Sequence, residues 1–278
     1  MNDPAQDAPE MREDRLLGGR VRLRQPADGL RAGLDAVMLA AAVPARPGER
    51  VLELGTGSGP AALCLLARVP GSSVVAVERD AGLAALAAEN LALNGWSDRG
   101  TVRQADIVDR AALRDLPIAD HGMANPPYWE DGRASPDARR AAAMHECAAV
   151  PLLRWTAALS RGVRRGGTGV LILPASRLLD GLGALREVGF GSLAVLPLWP
   201  RAGEAARRVL LLGRVGGRGP DRVLPGLVLH HGRDWTGEAQ AILRDAAPLP
   251  GLSPLPRGGA GARAVHAPPP GSPCSCDG

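Results

Sequence analysis

From Val51 onward the chain alternates short apolar runs with helix-like stretches, and no other feature restricts its fold as strongly. VLELG, SVVAVE, TVRQAD and HGMAN read as strands, with a helix opening at Pro60 and another over Asp80 to Asn94 between them. Strands joined by helices pair in parallel, and a parallel sheet is covered on both faces. A helix near 145 to 165, a strand TGVLILP, a helix near 176 to 188 and the runs SLAVLPL and ARRVLLLGR, read as the final strands, complete the pattern. The expectation is an α/β, Rossmann-like, mostly parallel seven-stranded sheet with helices on both faces.

Residues 1 to about 20 show no periodicity and read as a flexible acidic leader; 248 to 278, rich in Pro and Gly, read as a disordered tail. One catalytic domain over 21–247 lies between them. A helix opens at Asp35, ahead of the first strand. No apolar run is long enough to span a membrane and no signal region opens the chain, so a cytoplasmic protein is expected, with monomer as the default state. Cys64 and Cys147 sit in apolar patterns and Cys274 and Cys276 in the tail, which fits a reducing compartment. No metal site is expected. His145, Glu146 and Cys147 are adjacent and cannot face one another on a helix, His230 and His231 lack ligand spacing, and the two tail thiols form an incomplete set.

All 33 basic residues are Arg, for the sequence contains no Lys. That excludes a P-loop at the glycine-rich turn, which requires one. The turn follows the first strand as Glu53-x-Gly55-x-Gly57-x-Gly59, with Pro60 where a dinucleotide fingerprint needs a small residue. Glycines here allow positive φ and close approach of a ligand to backbone. Glu78 ends the second strand about twenty residues on, where a carboxylate accepts both hydroxyls of an adenosine ribose; a plain surface charge is the alternative. Asp106 ends the third strand, where capping a following helix is one reading. The fourth strand ends in Asn125, Pro126, Pro127 and Tyr128. The Asn125 side-chain oxygen and the Pro126 carbonyl are acceptors suited to an NH2 group, and the Tyr128 ring offers a stacking face.

The glycine turn resembles motif I of the class I methyltransferases, and Asn125 to Tyr128 resembles the signature of enzymes that methylate amino nitrogens of adenine or of glutamine in release factors. More of the chain, from about 15 to 247, looks like the bacterial tRNA1(Val) adenine-N6 methyltransferase family: GLRAGLDAVMLAAAV, SPD at 135–137, PLWPRAGEAARRVLLLGR and LPGLVLH. The resemblance implies S-adenosyl-L-methionine as cofactor and an adenine N6 in tRNA as acceptor. It also implies Glu53, Gly55, Gly57, Gly59, Glu78, Asp106 and Asn125 in the cofactor pocket. The family's element before the first strand reads Arg31, Ala32, Gly33, Leu34, Asp35 here, with Leu34 in place of Thr. Arg31 and Asp35 are therefore candidates to close the pocket, Asp35 reaching the methionine amino group or capping its helix. Arg201, Arg207 and Arg208 are candidate phosphate contacts or solvated charges. A protein glutamine methyltransferase, another RNA amino-methyltransferase and a non-catalytic cofactor- or RNA-binding module are the alternatives.

Overall fold

The computed structural model describes residues 10–27, 33–127 and 151–252. Its central sheet is built on strands β3 (Arg50–Leu54), β4 (Ser73–Glu78), β5 (Gly100–Gln104), β6 (Ala119–Ala124), β7 (Val163–Pro174), β8 (Phe190–Trp199) and β9 (Arg208–Val215). They lie in the order β8-β9-β7-β6-β3-β4-β5. β5, β4, β3, β6 and β7 run parallel, and β9 is antiparallel to both neighbours. The seven long strands match the sequence expectation, with one correction. ARRVLLLGR is not the last strand: β10 (Arg222–Val223) and β11 (Leu227–Val228) add to the outer side of β8 and bring the sheet to nine.

Side chains alternate between two cores, as the pleat demands. Val51, Val74, Ala76, Val170 and Ile172 join a cluster with helices α1 (Leu34–Ala42) and α2 (Pro60–Arg68). Leu52, Val75, Val77, Leu171 and Leu173 join the opposite cluster with helices α4 (Leu152–Gly162) and α5 (Leu178–Glu187). Helix α3 (Ala81–Leu93) begins at Asp80, whose carboxylate accepts the Leu83 N–H at 2.8 Å. Of the helix expected from 145, the part from Leu152 is described, and it starts after Pro151.

Residues 11–19 depart from the leader expectation. Strand β1 (Met11–Leu16) and a turn through Leu17–Gly19 pair antiparallel with β2 (Val21–Pro26). MREDRL carries almost no apolar pattern, so its strand character comes from its partner and from cross-strand charge pairs. Asn90 and Asn94, one turn apart on and just beyond α3, dock this hairpin. Asn94 accepts the Arg22 N–H and donates to its carbonyl, while Asn90 does the same for Arg24. The two amides act as a short strand along the edge of β2.

The tail boundary also shifts. Hairpin strands β12 (His230–His231) and β13 (Asp234–Trp235) and helix α6 (Gly237–Asp245) follow β11. His230 stacks on Trp235 at 4.2 Å, a structural use for that histidine. Leu249 is buried and donates its N–H to Ala41 O at 3.2 Å, so packing continues past 248. Residues 253–278, with Cys274 and Cys276, lie outside the described residues.

Candidate active site

The carboxyl edge of β5-β4-β3-β6-β7 gathers most of the candidates. Leu54 pairs with Ala124, so Gly55 and Asn125 leave the sheet side by side. Glu78 pairs with Gln104, which places Asp106 two residues beyond the neighbouring strand end. Five loops meet where open α/β sheets bind ligands.

The glycine loop is held from within. Gly55, Gly57 and Gly59 have φ of 67°, 58° and 91°, the left-handed region that side chains disfavour. At Gly55 there is a second reason for glycine, since a Cβ would lie 2.6 Å from Cη2 of Trp155 on α4. At Gly57 the Cβ direction is open, with nothing within 4 Å among the described residues. Its N–H donates to Glu78 Oε2 at 2.8 Å, while Glu78 Oε1 takes the Asp80 N–H at 3.0 Å. A carboxylate has about four lone-pair sites, so two are left for hydroxyls.

Glu53 faces inward. It is 4% exposed and accepts the Thr56 hydroxyl at 2.7 Å. Burial pushes its pKa up to about 8; the Thr56 and Ala62 hydrogen bonds oppose that rise, and the Glu78 charge adds to it. Burial therefore favours its protonated form, and its hydrogen bonds tie the loop to the first turn of α2. Its place in the fold is thus to shape the loop.

Asn125 is half-buried, and its Oδ1 is fully buried without a hydrogen-bond partner among the described residues. An unpaired buried acceptor costs free energy, about 1–3 kcal/mol. It marks a place where a donor is expected. Pro126 follows, buried, with no N–H to compete. Trp155 was missed by sequence reasoning: it is 7% exposed, walls the glycine loop, and its Nε1 is also buried and unpartnered. A tryptophan among only five in the chain, on an amphipathic helix after the Asn-Pro-Pro-Tyr segment, is the signal that could have found it. Asp106 is half-buried and closes a turn by accepting the Val108 N–H at 3.0 Å, so it caps no helix. Tyr128 and Arg31, and with them residues 145–147, lie outside the described residues.

Asp35 and the candidate arginines are distributed differently from expectation. Arg208 Nε donates to Asp35 Oδ2 at 3.0 Å. Arg208 pairs with Pro174 at the end of β7, so this ion pair sits along the same carboxyl edge. Asp35 receives a guanidinium instead of capping its helix, which has no side-chain cap. Arg201 donates to Glu204 at 3.2 Å and to Gly232 O at 3.1 Å. Arg207 is exposed.

The edge fits an adenosyl sulfonium ligand on its own chemistry: a glycine loop open at Gly57, a carboxylate with spare acceptor sites, and an unpaired amide oxygen one strand away. Among the described residues no His, Cys, Asp and Glu group suits a metal ion, and no helix is long and apolar enough to cross a membrane.

Residues 32–150 match the family described as Methyltransferase small domain. A tRNA1(Val) (adenine(37)-N6)-methyltransferase of Aeromonas hydrophila is 32% identical over 209 residues, covering 74% of this chain and 85% of the relative. The protein of the same name from Salmonella typhi is 43% identical over 104 residues, 37% of this chain and 42% of that one. The crystal structure of a predicted O-methyltransferase from Agrobacterium tumefaciens superposes with a TM-score of 0.62 at 27% identity, over 75% of this chain and 94% of its own.

Proposed function

Because the chain belongs to the tRNA1(Val) (adenine(37)-N6)-methyltransferase family, we propose that it methylates the exocyclic N6 of an adenine in tRNA, as a cytoplasmic monomer. It is a methyltransferase dependent on S-adenosyl-L-methionine, which when bound supplies an electrophilic methyl group on a sulfonium centre. The observation that carries the acceptor assignment is the buried, unpaired Asn125 Oδ1 beside the glycine loop. An amine N–H satisfies it; a hydroxyl acceptor whose proton is to be removed has less use for a neutral amide there.

Each residue has a distinct task in this reading. Glu78 takes the ribose hydroxyls with its two free lone-pair sites, Gly57 leaves room for the cofactor against backbone, and Gly55 and Gly59 give the loop its positive-φ shape. Glu53 holds that loop in place. Asp106 contacts the adenine end, and Asp35, held by Arg208, faces the amino-acid end with Arg31. Asn125 and the Pro126 carbonyl hold the two hydrogens of the acceptor NH2, turning its lone pair outward from the ring plane, and Tyr128 stacks on the base. The nitrogen gains a methyl group and sheds one proton to water, so no strong base is required. Positioning of this kind can contribute about 7–11 kcal/mol to a barrier.

Transfer of labelled methyl to bulk tRNA, followed by digestion to nucleosides, tests the reading. Label on N6-methyladenosine is expected, and Asn125→Ala should slow transfer by about 10²–10³-fold, the scale of one preorganised polar contact. Label on protein glutamine, or full-speed transfer by Asn125→Ala, would overturn it.

A further inference from the structure

The N-terminal hairpin carries an arginine surface that the site described above does not use. β1 and β2 pair with Glu13 opposite Arg24 and Arg15 opposite Arg22. Glu13, Arg15, Arg22 and Arg24 are all exposed, so one face shows three guanidinium groups around a single carboxylate. Glu13 accepts from Arg22 at 2.9 Å and 3.0 Å and lies 3.9 Å from Arg24. Even so, the side chains of Arg22 and Arg24 remain 46% and 51% exposed. A guanidinium has five donors and Glu13 occupies two on Arg22, so both arginines keep N–H groups directed at solvent. The other face differs: Arg12 and Gln25 both bind Asp14 there, balancing its charge.

The surface continues past the turn. A cleft runs between the hairpin turn, the start of α1 and the end of α6, and among the described residues its charged lining side chains are Arg15 and Arg244. Arginines thus follow one another along β2, β1 and α6. The surface is also fixed relative to the active site. Asn90, fully buried, binds both backbone groups of Arg24 and donates to Ser58 O of the glycine loop at 2.9 Å. One side chain therefore links the arginine face to the cofactor loop.

We propose that this hairpin face binds the phosphodiester backbone of the tRNA whose adenine enters at Asn125, an inference that rests on the tRNA reading above. Fork-shaped guanidinium groups match phosphate oxygens two at a time. A rigid array beside the loop orients a polyanion without the ordering cost of a mobile arm.

Fluorescently labelled bulk tRNA, titrated over a range of salt concentrations, tests the surface. The triple variant Arg15→Gln/Arg22→Gln/Arg24→Gln should bind at least tenfold more weakly at low salt. Its slope of log affinity against log salt should be shallower by about 2, since each neutralised phosphate contributes roughly 0.7–0.9. Glu13→Gln, which frees the same arginines, should bind tighter with a steeper slope. Cofactor affinity, measured by calorimetry without RNA, should be the same in all three proteins. Equal tRNA affinity and slope in wild type and triple variant would overturn the proposal. Should the triple variant lose cofactor affinity, Glu13→Gln decides: tighter tRNA binding supports the surface, unchanged binding overturns it. A wild type that shows no salt-dependent tRNA binding would sink the tRNA reading together with the surface, a result distinct from equality of variant and wild type.

Discussion

Glu53 is a carboxylic acid with 4% exposure and a second acid, Glu78, as neighbour, and this combination makes the loop sensitive to pH. In the unfolded chain its proton leaves near 4.5; in the fold it stays until about 8. Across that window the folded state holds the extra proton, so stability falls as pH rises from 4.5 towards 8 and levels off beyond. Glu53→Gln keeps an acceptor for the Thr56 hydroxyl and removes the titration. In thermal melts of the cofactor-free protein, the variant should therefore gain on the wild type steadily between pH 5 and about 8, then hold a constant lead. A difference independent of pH would mean that Glu53 is ionised in the fold. Arg208 bears on a second charge. Its bond to Asp35 spends the guanidinium on orienting a carboxylate at the sheet edge, so Arg208→Ala should weaken cofactor binding on the order of tenfold, the equivalent of one charge-assisted hydrogen bond. Calorimetry that finds cofactor affinity intact and tRNA affinity reduced would return Arg208 to the phosphate contacts.

Among the elements, the hairpin depends on two amides. Asn90→Ala would leave the Arg24 N–H, the Arg24 carbonyl and the Ser58 carbonyl without their partner. Unsatisfied backbone groups cost about 1–3 kcal/mol each when buried, and here water can reach some of them. A loss of about 3 kcal/mol is expected, with faster hydrogen exchange at Leu23 and Gln25 and weaker cofactor binding through Ser58. Unchanged exchange along β2 would show that the strand is held by its partner β1 alone. This docking was not legible in the sequence, because Asn90 reads as an ordinary polar residue of a helix until β2 is known to lie beside it. β1 was hidden for a related reason: its alternation is of charge, and charge pairs are visible only across a known register. The parallel strands were legible, since continuous apolar runs separated by helices leave few arrangements. So was the glycine loop, where three positive-φ positions and the spacing to Glu78 restrict the chemistry. Trp155 was not, because its contact with Gly55 joins residues a hundred positions apart and leaves no local pattern.

At the scale of the whole molecule the two ends of the described chain close on each other. Helix α6 packs on α1 and on the hairpin turn, where a Cβ on Gly18 would lie 2.8 Å from the Arg244 carbonyl oxygen. Ala239, Ile242 and Leu249 are buried at 0%, 1% and 2% exposure in the same cluster as α1, α2 and one face of the sheet. The Pro/Gly-rich composition after 247 concealed this, since composition describes the stretch as a whole while two leucines in it, Leu249 and the half-buried Leu252, make the contact. A side chain in a shared core should report on global stability. Ile242→Ala removes three carbons from that core, and such changes cost about 2–5 kcal/mol. A domain of this size loses roughly 2–4 °C per kcal/mol, so the melting temperature should fall by about 5–15 °C in one cooperative transition. If instead α6 separates in an early, shallow transition while the main one stays in place, the helix is an appendage. The arginine cleft between it and the hairpin would then lack the rigidity argued for it.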